Sequence, residues 1–189
     1  MQLIVMELSE MSYKIRQQIT NRDRNYFHDH AFSVPHPLLE SKERMIVNLF
    51  AFALHANEAL KFVNVQRVEN TTDIWIKDVA GNIELWINVG LPDEKLVHTA
   101  CGLAKQVVIY SYNGHVADMW WDKNEGKLKL LKNLTVINLP METTRAMEKM
   151  VQSNAQLNFT IQDGRTWLAN QENTMQIESK ILKLPSTHF

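Results

Sequence analysis

The stretch "DIWIKDVAGNIELWINVG", residues 73–90, constrains this chain more than any other. Apolar residues recur there at every second position on both sides of a short polar break, and only a β-strand has that period. In the second run Ile83, Leu85, Ile87 and Val89 share one face, while Glu84, Trp86 and Asn88 share the other. In the first, Ile74 and Ile76 oppose Asp73, Trp75 and Lys77. Facing residues of an antiparallel pair lie on the same side, so the two apolar faces must coincide. With a tight loop at Ala80-Gly81, Lys77 falls opposite Glu84, Trp75 opposite Trp86, and Asp73 opposite Asn88. Glu84 then reads as the cross-strand partner of Lys77.

Strands and helices interleave around this hairpin. "YKIRQQIT", "NRDRNYF" and "HAFSVP" read as strand, polar turn and strand. A helix is expected from about Leu38 to Asn57, with Ile46, Leu49, Phe50, Ala53 and Leu54 as its buried stripe. "LKFVNVQRV" reads as an apolar strand. A helix should run from Pro92, placed at its first position, to about Ala104. "QVVIYSYN" is a strand, "VADMWWDKNEGKLKLL" a helix, "NLTVINLP" a strand and "METTRAMEKMVQSN" a helix with Met147, Met150 and Val151 on one face. The C-terminal "QLNFTIQDGRTWLANQENTMQIESKIL" reads as a hairpin turning at Asp163-Gly164. The pattern predicts one α/β (α+β) domain with a mixed sheet flanked by helices. It would span 1–189, with room for a smaller subdomain and with residues 1 to about 12 as a loosely ordered N-terminal extension.

Composition limits the function classes. Hydrophobic residues make up 45% of the 189 and charged residues 22%, ordinary for a water-soluble domain. One cysteine, Cys101, excludes an internal disulfide and suits a reducing compartment. "MQLIVMELSEMSYK" lacks the basic leader of a signal peptide, and no apolar run reaches the roughly 18 residues of a membrane span. A cytoplasmic protein without membrane contact is expected. The net charge of −1 excludes a protein that coats DNA by charge alone. The lysines of "DKNEGKLKLLKN" (Lys123, Lys127, Lys129, Lys132) read as a solvated face.

The chemistry-bearing candidates lie where Asp73 and Asn88 should meet, beside the helix entered at Pro92. Oxygen ligands there, joined by a third from elsewhere, would suit Mg²⁺ or Mn²⁺. Glu43, at the inner edge of its helix stripe, is the candidate third. Glu84 lies four strand residues from position 88, about 13 Å, too far to share the ion.

These residues carry a resemblance to the YaeQ family, bacterial proteins with a variant of the PD-(D/E)XK nuclease fold. It extends from about Tyr13 to Leu182 and rests on "DRN" at Asp23–Asn25, "HP" with "ERM" at Glu43–Met45, and "IELWINVGLPDEK", with "YSYN", "WW" and "TIQDGRTWL" in support. The resemblance implies a restriction-endonuclease-like core with N-terminal and C-terminal hairpins. It also implies metal ligands at Glu43, Asp73 and position 88, with Lys95 facing the scissile phosphate and no organic cofactor. Family members place Glu where this chain has Asn88, and several Arg or Lys on the following helix, where this chain has Leu96, His98 and Thr99. Both departures weaken metal and phosphate chemistry.

Other signals have plainer structural readings. His28 and His30 show the alternate spacing of metal ligands on one strand, but with no evident third they read as exposed histidines. Cys101 falls on an apolar helix stripe and reads as buried and inert. Trp120 and Trp121 could stack on bases, though packing is the commoner use. Two functions fit the whole: a Mg²⁺- or Mn²⁺-dependent phosphodiesterase acting on DNA or RNA, and a non-catalytic protein binding nucleic acid or protein at the same groove. The departures favour the second.

Overall fold

A computed structural model describes residues 12–35, 41–57, 61–62 and 74–186, and the fold is the expected mixed α+β type. Eleven strands and four helices are defined among the described residues. The chain divides into two compact units, each built on one sheet.

The first unit falls within residues 1–46 and 145–177. It holds β1 (Ser12–Asn21), β2 (Tyr26–Pro35), β8 (Asn154–Gln162), β9 (Arg165–Ala169) and β10 (Thr174–Ile177) in the order β10-β9-β8-β1-β2. β1 pairs antiparallel with β2 along ten residues and parallel with β8. Alternation decides what is buried: Ile15, Ile19, Leu157 and Phe159 face the core, while Arg16, Gln18 and Gln156 face solvent. The β8–β9 hairpin turns at Asp163-Gly164 as expected. Both residues have positive φ (53° and 70°), which matches the twist of the flanking strands. The Asp23 carboxylate, in the β1–β2 turn, accepts the N–H groups of Asp163 (2.7 Å) and Gly164 (2.9 Å), tying the two turns together. The C-terminal segment is more than a hairpin, because it supplies β10 here and β11 to the other sheet.

The second unit holds β3 (Lys61–Phe62), β4 (Ile74–Lys77), β5 (Ile83–Val89), β6 (Ala104–Ser111), β7 (Leu134–Asn138) and β11 (Lys180–Lys183), ordered β11-β7-β6-β5-β4-β3. The pairings β5–β6 and β6–β7 are parallel, and the pairings β11–β7, β5–β4 and β4–β3 are antiparallel. The central strands are buried on both faces, as parallel strands must be when helices cover both sides. Helix α1 (Lys42–His55) supplies one cover: Phe50 meets the Tyr110 ring edge-on at 5.8 Å, and His55 Nε2 lies 2.8 Å from the Tyr110 hydroxyl. On the other face α2 (Glu94–Leu103) and α3 (His115–Leu128) pack Val97, Ala100, Trp121 and Leu128 against Trp86, Val107 and Leu134. The last helix, α4 (Met141–Lys149), starts in this unit and ends in the first, where Met147 within it and Met150 and Val151 just after it are buried.

Three expectations change in detail. The α1 stripe is too narrow: every residue from Met45 to Ala53 is buried, the polar Asn48 among them, whereas Leu54 is half-buried; all of that run but Asn48 is apolar. Pro92 is not the first helical residue. Asp93 caps α2, its carboxylate accepting the Leu96 N–H at 2.7 Å, and a carboxylate there satisfies an otherwise orphaned donor. Finally, Trp75 does pair with Trp86, but the register slips between Ile76 and Lys77, so Lys77 falls opposite Ile83. Of "LKFVNVQRV", all but Lys61 and Phe62 lies outside the described residues.

Candidate functional site

Strand β5 carries Glu84, Trp86 and Asn88 on one face, as its alternation requires. Asn88 is 7% exposed, and its Oδ1 accepts the indole N–H of Trp86 at 2.7 Å. A buried indole needs an acceptor, and a residue two positions along the same strand face is well placed to provide one. Asn88 thus has structural work that a fit of acids to a metal did not anticipate.

Glu84 also finds another partner. Because of the slip at Ile76/Lys77, the Lys77 ammonium lies over the Trp75 ring, 4.3 Å from its centroid. Glu84 instead pairs with Lys105 on β6, at 2.5 Å. The hydrogen bond and charge of Glu84 raise the Lys105 pKa, although both side chains are solvent-facing and the pair adds little stability.

At the end of β5, Gly90 takes φ 119°, which L side chains rarely adopt, and donates its N–H to the Tyr110 carbonyl at 2.9 Å. The chain then enters α2, where Lys95 is exposed beside an open depression lined by Asp93, Glu94 and His98. Glu94 accepts from Lys127 at 2.7 Å and lies 3.7 Å from His98 Nε2. The surface around Lys95 therefore carries both signs of charge. Leu96 is half-buried against the core under α2, and Thr99 Oγ1 donates back to the Lys95 carbonyl at 2.9 Å.

Glu43 lies in the first turn of α1 and is half-buried; the Arg44 N–H donates to Ser41 Oγ at 3.1 Å, capping the turn. An acid there is favourable against the helix dipole. Of the four expected residues, Asn88 and Lys95 belong to the second unit and Glu43 to the first, while Asp73 lies outside the described residues. Among the described residues no group of three or more His, Cys, Asp or Glu is arranged to hold a metal ion.

The remaining candidates settle into packing. Trp121 is buried, and Trp120 donates its indole N–H to the Pro92 carbonyl at 2.8 Å, joining α3 to the start of α2. Lys127 and Lys129 form ion pairs with Glu94 and Glu125. His30 stacks between Tyr26 and Phe32 along β2, with the Tyr26 hydroxyl 3.0 Å from its Nε2. Burial chiefly, then the charge of His28, lowers its pKa, against an opposing pull from Asp29. Cys101 is half-buried rather than buried, and burial pushes its thiol up to about 11. Lys183 was not foreseen: it is buried on β11, its ammonium donating to the Leu134 and Leu184 carbonyls at 3.1 and 3.0 Å. Among the described residues no helix is long and apolar enough to cross a membrane.

Comparison with known proteins gives the family and the fold. The family model described as YaeQ protein matches residues 6–179. The uncharacterized YaeQ protein of Escherichia coli (strain K12) is 31% identical over 181 residues, covering 96% of this chain and all of its own length. That of Salmonella typhi is 32% identical over the same span. The crystal structure of the YaeQ protein from Xanthomonas axonopodis pv. citri superposes with a TM-score of 0.85 at 29% identity, covering 93% of this chain and 99% of that one. A YaeQ structure from Pseudomonas syringae shares the fold with a TM-score of 0.84 at 21% identity, covering 92% and 96% of the two chains.

Proposed function

Since this chain belongs to the YaeQ family, we propose that it is a non-catalytic nucleic-acid-binding protein of the bacterial cytoplasm, built on a nuclease-like scaffold. The observation that supports the non-catalytic part of this reading is the Trp86–Asn88 hydrogen bond, which gives the residue at the expected second-acid position a role in the core. A hard divalent cation favours charged oxygens, and Asn88 offers a neutral one already accepting from an indole. The donor set therefore fits Mg²⁺ or Mn²⁺ poorly. The mixed charges around Lys95 supply little of the focused positive field that stabilises a phosphoryl transition state.

The test is binding in the presence of a chelator. Fluorescence anisotropy with labelled single- and double-stranded oligonucleotides in EDTA should show binding that added Mg²⁺ or Mn²⁺ leaves unchanged. Binding that appears only with metal would return the protein to the phosphodiesterase class, with Glu43 and Asp73 as its ligands. No binding under either condition would shift the reading to a protein partner.

A further inference from the structure

The five-stranded sheet of the first unit has one face in the core and one face in solvent, and the register orders the solvent face into rows. One row runs Phe27, Thr20, Thr160, Trp167 across β2, β1, β8 and β9. The next runs Asp29, Gln18, Asn158, and the third Ala31, Arg16, Gln156. In the first row Phe27 is 55% exposed and Trp167 is half-buried. Three strand spacings set these rings roughly 14 Å apart, with two threonines between them.

The other two rows surround a depression of about 420 Å³, which Arg16, Gln18, Asp29, Ala31 and Gln156 help to line. Ala31 is the small residue that leaves the space. The Asn158 Oδ1, on the middle row, is buried and has no hydrogen-bond partner among the described residues. The strand residues of this face bring three cations (Lys14, Arg16 and Arg165) against one acid, Asp29. This locally positive surface belongs to a chain whose net charge is −1.

Each class of group on the face answers one part of a nucleotide. Flat rings stack on bases without regard to sequence. Carboxamides offer paired donors and acceptors to base edges, and guanidinium groups meet phosphate. A duplex hides its base faces, so it cannot use the rings. We infer that the solvent face of this sheet binds single-stranded nucleic acid, with Phe27 and Trp167 stacking on bases, Gln18 and Gln156 meeting base edges, and Arg16 meeting phosphate. The inference rests on the nucleic-acid reading above but puts the contact on the first unit's sheet rather than on the β5–α2 surface of the second unit.

The experiment titrates labelled oligo(U), oligo(dT) and a duplex with wild type, Phe27→Ala, Arg16→Ala and, as a control on α3, Lys123→Ala. Single strands should bind more tightly than the duplex. Phe27→Ala should weaken single-strand binding by roughly 5-fold or more. Arg16→Ala should lower the slope of log affinity against log salt by about 0.7, the loss of one phosphate contact. Lys123→Ala should leave both unchanged. If the wild type binds single strands and neither Phe27→Ala nor Arg16→Ala alters that binding, the sheet face is the wrong place while the nucleic-acid reading stands. If the wild type binds no nucleic acid even at low salt, that reading fails and the platform with it.

Discussion

Replacing Asn88 by Leu tests whether position 88 serves the core or a metal. The side chain is 7% exposed, and its Oδ1 holds the Trp86 indole N–H at 2.7 Å, with Trp86 itself 7% exposed. Leucine removes the acceptor and keeps comparable volume, so at least one buried donor, the Trp86 indole N–H, is left unsatisfied, at a cost of about 1–3 kcal/mol. At about 2–4 °C per kcal/mol for a chain of this size, the melting temperature should fall by roughly 2–12 °C. Trp86→Phe removes the donor instead, and the double variant should lose less than the two single losses combined, because the pair shares one hydrogen bond. Thermal shift in EDTA and in millimolar Mg²⁺ or Mn²⁺ supplies the decisive comparison. A ligand at 100 times its Kd adds about 2.7 kcal/mol. Metal should therefore leave wild type and Asn88→Leu equally unmoved. Stabilisation of the wild type by metal, absent in the variant, would refute the assignment of Asn88 to the core alone.

Other residues offer independent checks. Asp23→Ala deletes the acceptor for two turn N–H groups and should lower stability by about 1 kcal/mol in urea, with faster amide exchange at Asp163 and Gly164; unchanged exchange would contradict the clamp. The Cys101 thiol, pushed up to about 11, should alkylate slowly near neutral pH and speed up only in strong alkali, so rapid labelling at neutral pH would overturn its environment. His30 has a folded pKa below its ordinary 6.5, so the unfolded chain takes up that proton first. Stability should then fall as pH drops from 6.5 through the folded value, and His30→Gln should flatten that slope in urea midpoints. A slope unaffected by the substitution would assign it to other groups.

How much of this was legible in the sequence depended on the range of the interaction. The parity of the β4–β5 hairpin followed from alternation alone, and the structure pairs Trp75 with Trp86 as that parity demands. The partner of Glu84 did not follow, because one slip at Ile76/Lys77 moves Lys77 off it and the parallel neighbour β6 brings Lys105 beside it. Alternation cannot see a bulge, and it says nothing about which strand lies on the other side. The start of α2 was misplaced by two residues because proline and aspartate both mark helix entrances, and only the observed Asp93 cap separates them. Asn88 illustrates the deeper limit. Its departure from an acid was visible in the sequence, but the indole two residues away that occupies it was recognisable only once both side chains were seen buried on one face. The polar face of the five-stranded sheet was hidden for a similar reason: its rows join residues of β1 and β8 that are about 140 positions apart in the chain, as Gln18 and Asn158 are.

The most direct test of binding without catalysis is to incubate the wild-type protein with end-labelled single strands in Mg²⁺ or Mn²⁺, measuring bound fraction and strand length in the same samples. The account predicts a bound strand recovered at full length. Metal-dependent shortening of the strand that disappears in Asp73→Ala would contradict it.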